Sequence, residues 1–237
     1  MSNQAVILSG GLGTRLRPFT EVIPKPLLPI GEKAVLEIQI ERFKEYGFEE
    51  IYLATNYKSN YVENFIGDGS RYGVNLIISK EDKPLGTAGP IKLLQDRLSH
   101  DPFIVMNGDI LTLANFSDVY EFASSKDSLL TICVKKIITP YAFGNIHFDG
   151  DLVVNIEEKP DIITFALAGV YVMKPGIMEL IPDNEYFGMD KLIKRMILEK
   201  IPIHKYEITD YWLDIGRVED YETAQNSYKE FFKGEKK

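Results

Sequence analysis

The chain has 237 residues and a formal net charge of −8 at pH 7, so it can bury the core of one domain, which we expect to span residues 1–237. The acidic balance, with no long basic run before residues 233–237, argues against a nucleic-acid partner, and the single cysteine, Cys133, excludes a disulfide within the chain. No charged-then-apolar leader opens the sequence and no apolar stretch approaches the roughly 20 residues that span a bilayer, so we expect a cytoplasmic protein with no membrane partner.

In the first half of the chain, short apolar strands alternate with amphipathic helical segments. Strands are predicted at residues 5–8, 50–54, 75–79 and 103–106. Helices are predicted at residues 36–46 and 58–66. This alternation is typical of a mainly parallel sheet covered by helices on both faces, so we predict an α/β, Rossmann-like fold.

The second half changes character. Strands are predicted at residues 129–134, 144–149, 153–157 and 168–173, and closing helices at residues 190–199 and 219–232. We expect these strands to extend the first sheet, which gives a mainly parallel mixed sheet flanked by helices.

The most informative segment, residues 5–26, begins with a strand and a glycine loop. Gly10, Gly11 and Gly13 allow a tight turn and let backbone N–H groups approach an anion, although an ordinary glycine turn would use the same residues. A Walker A loop is excluded because the loop does not end in Gly-Lys-Ser/Thr, and the dinucleotide fingerprint is excluded because Leu16 occupies the position of its third glycine.

Donors and cations follow this loop directly. Thr14 adds a hydroxyl donor, and the planar guanidinium of Arg15 can bind phosphate oxygens. Lys25 supplies a second cation from a stiff piece of chain, because a proline stands on each side of it. Loop and cations together are suited to holding a polyphosphate.

Residues 79–90 form a second block of interest. The small-residue turn from Gly86 to Gly89 could let a flat base lie against the backbone, or it could be a helix-capping turn. The Glu81 carboxylate could accept hydrogen bonds from N1–H and N2–H of guanine, or from the single N3–H of uracil or thymine. Glu81 therefore leaves the base open.

Two aspartates far apart in the sequence are candidates for a metal site. Asp109 follows the predicted strand at residues 103–106, and open sheets place their ligands at the carboxyl ends of parallel strands. Asp214 offers a second carboxylate, and two converging aspartates suit Mg²⁺, although an isolated Gly-Asp is usually a turn.

These motifs resemble those of the sugar-1-phosphate nucleotidyltransferases, also called nucleotide-sugar pyrophosphorylases, over nearly the whole chain. The signature Gly-Gly-x-Gly-Thr-Arg-Leu-x-Pro-x-Thr stands at residues 10–20, and Pro-Lys-Pro follows at residues 24–26. The resemblance implies that Mg²⁺ is held by Asp109 and Asp214, which act in catalysis with Arg15 and Lys25. It also implies nucleotide contacts from Leu8, Gly10, Gly11, Gly13, Thr14, Arg15, Lys25, Glu81, Gly86 and Thr87.

The resemblance also places the acceptor sugar phosphate. Taken alone, residues 157–160 are a charged turn, but the family's Glu-Lys-Pro motif implies that Glu158 contacts sugar hydroxyls and Lys159 the acceptor phosphate. Gly144 and Gly169 match glycines that allow the sugar a close approach. One departure bears on the acceptor: the family usually has Asn-Ala-Gly where this chain has Leu167 before its Ala-Gly, so an amide that commonly contacts the sugar is missing.

The reaction implied is the joining of a nucleoside triphosphate and a sugar 1-phosphate into a nucleotide-sugar, with release of pyrophosphate. The form of residues 85–90 is most similar to the guanylyltransferases, which favours GTP and a mannose or manno-heptose acceptor. A uridylyl-, thymidylyl- or cytidylyltransferase is the alternative within this chemistry, and a catalytically silent nucleotide-sugar-binding regulator is the alternative outside it. We expect a catalytic domain without the C-terminal left-handed β-helix domain of many relatives; a homo-oligomer is compatible with the sequence.

Overall fold

A seven-stranded sheet organises the protein, whose computed structural model describes residues 3–98 and 102–232. The strands of the described residues are β1 (Asn3–Leu8), β2 (Pro29–Ile30), β3 (Lys33–Ala34), β4 (Phe48–Thr55), β5 (Asn75–Lys80), β6 (Phe103–Asn107), β7 (Ile110–Thr112), β8 (Leu130–Pro140), β9 (Asn145–Asp149), β10 (Leu152–Glu157), β11 (Asp161–Met173), β12 (Ile203–Glu207) and β13 (Trp212–Asp214). The helices are α1 (Phe19–Val22), α2 (Val35–Glu45), α3 (Ser59–Ile66), α4 (Gly89–Lys92), α5 (Phe116–Ser124), α6 (Met189–Leu198) and α7 (Val218–Phe231).

The sheet has the order β12-β8-β11-β6-β1-β4-β5. Strands β6, β1, β4 and β5 are parallel to one another, whereas β11 runs antiparallel to both β6 and β8, and β12 is parallel to β8. The apolar run Ala5–Ile7 of β1 has no exposed surface, as expected for a central strand with both faces covered. The predicted α/β fold with a mainly parallel mixed sheet and flanking helices is therefore confirmed.

Helices cover the two faces of the sheet with separate apolar layers. On one face, Phe43 of α2 stacks on Phe116 of α5 at 4.7 Å between ring centroids. On the other face, α4 and α6 contribute Ile91 and Met196 to the second layer. Helix α5 and strand β12 were not among the sequence-predicted elements, although β12 is an edge strand of this sheet and α5 packs against it.

A third, smaller core joins segments that carry candidate functional residues. Leu16, just after the glycine loop, is fully buried in a cluster with Ile215 and with Tyr228 of α7. This packing draws the loop and the chain around Asp214 together, although about 200 residues of sequence lie between them.

One sequence prediction about the sheet is wrong. Residues 144–149 and 153–157 do not extend it, because β9 and β10 pair only with each other as an antiparallel hairpin. The predicted strand at residues 168–173 is the end of the longer β11, which shifts register between Leu167 and Tyr171, where Gly169 has a φ of +67°.

The outer parts of β8 and β11 form a two-stranded ribbon that continues beyond the main sheet. Pairing of β12 with β8 stops at Val134, and pairing of β6 with β11 starts at Val170. We call residues 135–167, which comprise this ribbon and the β9–β10 hairpin between its strands, the arm.

No helix of the described residues combines the length and the apolar character that crossing a bilayer requires.

Candidate active site

A cleft of about 470 Å³ opens where β1, β4 and β6 end, the position at which open parallel sheets hold ligands. All ten sequence-predicted nucleotide contacts line it, together with Asp109: Leu8, Gly10, Gly11, Gly13, Thr14, Arg15, Lys25, Glu81, Gly86 and Thr87. Asp214, Gly144, Glu158, Lys159 and Gly169 are not among its lining residues. The structure thus gathers the predicted nucleotide residues in one concave surface.

The glycine loop needs glycine at two positions for identifiable reasons. At Gly13, φ is +61° and a Cβ would lie 2.7 Å from Cγ2 of Thr20, whose hydroxyl donates a 2.7 Å hydrogen bond to the Gly13 carbonyl oxygen. At Gly10, a Cβ would lie 2.7 Å from Oε1 of Glu81. The loop is therefore fixed by Thr20 on one side and packed against the Glu81 carboxylate on the other.

Charged side chains of both signs meet at the floor of the cleft. The Lys25 ammonium is ion-paired with Oδ2 of Asp109, while Oδ1 of Asp109 is buried and has no hydrogen-bond partner among the described residues. The pairing of β13 with β7 places Asp214 opposite Ile110, and the N–H of Ile215 donates to the Asp109 carbonyl oxygen at 2.9 Å. The two aspartates are therefore neighbours in the fold.

The surroundings of the Asp214 carboxyl raise its pKa. Burial of the carboxyl raises its pKa and the negative charge of Asp109 raises it further, whereas Lys25 and Arg15 act in the opposite direction. Arg15 is also near the turn that follows Asp214, since its Nη2 is 3.5 Å from the position of a Cβ on Gly216. The four residues that the sequence assigned to catalysis thus form one electrostatic group.

The two carboxylates fit a divalent cation that is completed by substrate. Among residues 3–98 and 102–232, no three His, Cys, Asp or Glu side chains gather as a metal site. Mg²⁺ commonly binds to proteins through one or two carboxylates and takes its other ligands from phosphates and water. The unpaired, buried Oδ1 of Asp109 beside Asp214 matches that ligand set.

Gln39 of α2 holds the turn that carries Asp109. Its side chain is 2% exposed, and its Nε2 donates to the carbonyl oxygens of Asn107 at 3.0 Å and Ile110 at 2.8 Å. The helix that carries it begins where the Glu37 carboxylate accepts a 2.8 Å hydrogen bond from the N–H of Ala34. These contacts fix the backbone on either side of Asp109.

Hydrogen bonds hold Glu81 and the turn at residues 86–89, which the sequence predicts to bind the base. Oε2 of Glu81 accepts a 2.8 Å hydrogen bond from the N–H of Leu85, so one carboxylate oxygen already has a partner. Burial raises the pKa of Glu81, and this hydrogen bond lowers it by a smaller amount. The turn after Leu85 is held by residues at the start of α6 and just before it: the Phe187 carbonyl oxygen accepts from the N–H of Ala88, and Oγ1 of Thr87 accepts from the Met189 N–H.

The predicted acceptor residues lie apart from this cleft. Gly144, Glu158 and Lys159 are exposed on the arm, where the position of a Cβ on Gly144 is 3.5 Å from Oε2 of Glu158. Gly169 lies closer to the cleft, because a Cβ there would be 2.9 Å from Nδ2 of Asn107, which lines it. The surface predicted to bind the acceptor is thus open, with Gly169 beside the cleft.

Sequence reasoning missed several polar residues of the cleft. Ser9 Oγ and Asn107 Oδ1 are buried without hydrogen-bond partners in the described part of the chain, and both residues line the cleft. Their positions offered a signal, since Ser9 directly precedes the glycine loop and Asn107 stands two residues before Asp109. Gln39 offered none, because nothing in the sequence of a helix shows that it faces a strand end.

The chain is similar in sequence to known proteins over most of its length. A family model described as nucleotidyl transferase matches residues 4–230. Similar curated proteins include a probable mannose-1-phosphate guanylyltransferase 1 of Oryza sativa subsp. japonica, at 35% identity over 233 residues, and a mannose-1-phosphate guanyltransferase of Schizosaccharomyces pombe, at 34% over 233 residues. Each alignment covers 95% of this chain and 64% of the relative, so the chain spans less than two thirds of their length.

Solved structures give the same fold. HddC from Yersinia pseudotuberculosis, which has also been crystallised in complex with GMP-PN, has a TM-score of 0.74 and 29% identity, and the match covers 96% of this chain and 100% of that one. The inositol-1-phosphate CTP transferase of T. maritima has a TM-score of 0.72 at 20% identity, with 96% of each chain covered. The second match supports the fold alone.

Proposed function

The chain belongs to the nucleotidyl transferase family, and on that premise we propose that it joins GTP and a sugar 1-phosphate into a nucleotide-sugar with release of pyrophosphate. The proposed acceptor is mannose 1-phosphate or a manno-heptose 1-phosphate. One observation carries the proposal: a preformed cleft lined by the glycine loop, Arg15 and Lys25 ends at the neighbouring carboxylates of Asp109 and Asp214.

The chemistry needs no nucleophile from the protein. An oxygen of the acceptor phosphate attacks the α-phosphorus of the nucleotide in line, a P–O bond to the α-phosphorus forms, and the bond to the departing pyrophosphate breaks. The protein accelerates such a step by orienting two anions and stabilising the charge that develops on the leaving group. Arg15 and Lys25 supply positive charge on the nucleotide side, and Lys159 holds the acceptor phosphate on the arm side.

Lys25 has a particular place in this scheme. Its pairing with Asp109 keeps a positive charge at the cleft floor before substrate arrives. A bound polyphosphate would offer the ammonium a second anion and leave Asp109 free for other partners.

Enzymes of this family generally use a divalent cation, and we propose Mg²⁺ at Asp109 and Asp214. When bound there, the ion would neutralise negative charge on the reacting phosphates. The fit rests on the unpaired oxygen of Asp109 and on Asp214 beside it, whose pKa is raised by burial and by the negative charge of Asp109.

The choice of GTP and a manno-configured sugar has separate support. The similar curated proteins are mannose-1-phosphate guanylyltransferases, and a structural neighbour at 29% identity was crystallised with GMP-PN. Glu81 has one oxygen that is not bonded to Leu85, and it lines the cleft where a guanine N–H could reach it.

The decisive experiment measures pyrophosphate release over a matrix of GTP, ATP, UTP, dTTP and CTP against mannose, manno-heptose, glucose and galactose 1-phosphates. We expect release with GTP and a manno-configured acceptor and little with ATP. Turnover with UTP, dTTP or CTP but not GTP would overturn the guanylyl assignment. Nucleotide-sugar binding without release in any combination would overturn the enzymatic assignment and favour a regulator.

A further inference from the structure

The Glu81 carboxylate keeps one oxygen available for a base. Its Oε2 accepts the 2.8 Å hydrogen bond from the Leu85 N–H, so Oε1 is the oxygen that a ligand can reach. Guanine presents two donors side by side, N1–H and N2–H, whereas uracil and thymine present the single N3–H. With Oε2 engaged, selection of guanine over uracil calls for a second acceptor beside Oε1.

Asn56 lies next to Glu81 in the cleft and offers such an acceptor. It directly follows β4 and lines the cleft, and its Nδ2 donates a 3.1 Å hydrogen bond to the Glu81 carbonyl oxygen. Because a carbonyl oxygen only accepts, this contact fixes which end of the amide is the NH2 group. The Asn56 Oδ1 is therefore the end that remains for a ligand.

Gly10 leaves both acceptors uncovered. A Cβ on Gly10 would lie 2.7 Å from Oε1 of Glu81 and 3.4 Å from Cβ of Asn56. The two side chains thus flank the same bare stretch of backbone. A flat base can approach them there because no side chain of the glycine loop stands between.

The turn at residues 86–89 supplies donors close to these acceptors. Within it, the N–H groups of residues 88–89 are both bonded to the Phe187 carbonyl oxygen. Those of Gly86 and Thr87 have no partner among the described residues, and both residues line the cleft. The cleft therefore offers backbone donors at the turn and side-chain acceptors beside it.

We propose that Asn56 determines the choice of guanine: its Oδ1 accepts from N2–H while Oε1 of Glu81 accepts from N1–H, and the N–H of Gly86 or Thr87 donates to O6. This inference rests on the proposed function. Among the common bases, only guanine presents an acceptor followed by two donors. Uracil, thymine and cytosine would place their O2 against Oδ1 of Asn56, so two acceptors would face each other, and adenine would place its N1 acceptor against Glu81.

ITP isolates the contact, because inosine is guanosine without the 2-amino group and loses only the donor assigned to Asn56. Calorimetric titration of the full chain with GTP, ITP and UTP, without sugar phosphate, measures the three dissociation constants. We expect the wild type to bind GTP about tenfold more tightly than ITP. In Asn56→Ala the two constants should become nearly equal, through weaker binding of GTP. Asn60→Ala, an exposed asparagine on α3, is the matched control and should keep the tenfold ratio.

Two further variants separate this contact from its neighbour and from misfolding. Glu81→Gln should weaken GTP and ITP by a similar factor, because both present N1–H, and should preserve their ratio. Asn56→Ser is too short to reach the base and should lose the GTP preference in the same way, which keeps the test available if Asn56→Ala does not fold.

The outcomes that overturn this inference differ from those that overturn the proposed function. Equal binding of GTP and ITP by the wild type, or a wild-type ratio in a folded Asn56 variant, would remove Asn56 from base selection and leave GTP as the substrate. Tighter binding of UTP than of GTP would overturn the guanine assignment itself. Failure of the wild type to bind any nucleoside triphosphate would overturn the proposed function.

Discussion

The nucleotide cleft and the arm are built in opposite ways. The cleft stands on parallel strands whose apolar residues are mostly buried, and its loops are held by hydrogen bonds such as those from Gln39 and Thr20. The arm is a two-stranded ribbon whose apolar side chains are mostly exposed and whose candidate acceptor residues, Glu158 and Lys159, touch none of the cleft. Under the proposed assignment, the nucleotide would bind to a preformed site and the sugar phosphate to an open surface.

The largest expected effect concerns the two aspartates at the cleft. Asp109→Asn or Asp214→Asn should remove most turnover, by about 100-fold or more, because an amide cannot balance the charge of a divalent cation. The free energy of unfolding should change little, and Asp127→Asn, an exposed aspartate outside the site, is the matched control. Steady-state rates at saturating substrates provide the measurement. Full activity in either folded variant would remove the aspartate pair from catalysis.

The division between cleft and arm predicts that two cations affect different kinetic parameters. Arg15→Ala should lower kcat with little change in the KM for sugar phosphate, whereas Lys159→Ala should chiefly raise that KM. Each loss should be about 1.5–3 kcal/mol, as expected for a hydrogen bond to a charged group. Arg17→Ala is the control, since Arg17 is 61% exposed. The reverse pattern would show that Arg15 acts on the sugar phosphate and Lys159 on the nucleotide.

Base selectivity tests the cleft alone. Glu81→Gln keeps one acceptor oxygen and adds a donor that opposes a guanine N–H, so the preference for GTP over ATP should shrink by roughly 1–3 kcal/mol. The ratio of kcat/KM values for the two nucleotides measures it, and UTP is the informative third substrate because uracil also offers one N–H. An unchanged ratio would mean that the backbone of residues 86–89 reads the base without Glu81.

The rigidity of the cleft floor should depend on Gln39. Gln39→Leu removes both hydrogen bonds that fix the backbone around Asp109, and we expect activity at limiting Mg²⁺ to fall by about tenfold. Excess Mg²⁺ should restore part of it, since Gln39 acts only through Asp109. A loss of thermal stability with an unaltered Mg²⁺ requirement would show that Gln39 serves the fold only.

The smallest effect concerns stability and pH. Burial raises the pKa of Glu81 above its ordinary value of 4.5, so the folded state binds this proton more tightly than the unfolded state does. Stability from this group is therefore lost as pH rises from the ordinary pKa through the raised one. Glu81→Gln carries no such proton, so its advantage in free energy of unfolding should shrink as pH falls through that window. Denaturant titrations measure it, and parallel pH curves for the two proteins would contradict the prediction.

Local sequence was enough to predict the glycine loop and Lys25 of the cleft, because these parts are close together in the chain. The strand, the glycine loop and Lys25 lie within residues 5–26, and their spacing alone predicts a strand that ends at an anion-binding turn. The alternation of strands and helices likewise fixed the parallel half of the sheet. The sequence did not predict helix α5 and strand β12, because the packing of α5 on the sheet and the pairing of β12 with β8 depend on residues distant in sequence.

The tertiary structure alone decided which distant groups share the site and which surface stays open. Asp214 reaches Asp109 only because β13 pairs with β7, and Leu16 and Ile215 share one small core. Gln39 acts on the Asp109 turn from a helix packed across the sheet. The apolar residues of β9 and β10 satisfied the composition of a sheet strand, but composition specifies only that these strands can bury apolar surface. What covers that apolar surface depends on long-range pairing. The sequence therefore determined the residue types of the cleft, and the tertiary structure determined which distant segments surround it.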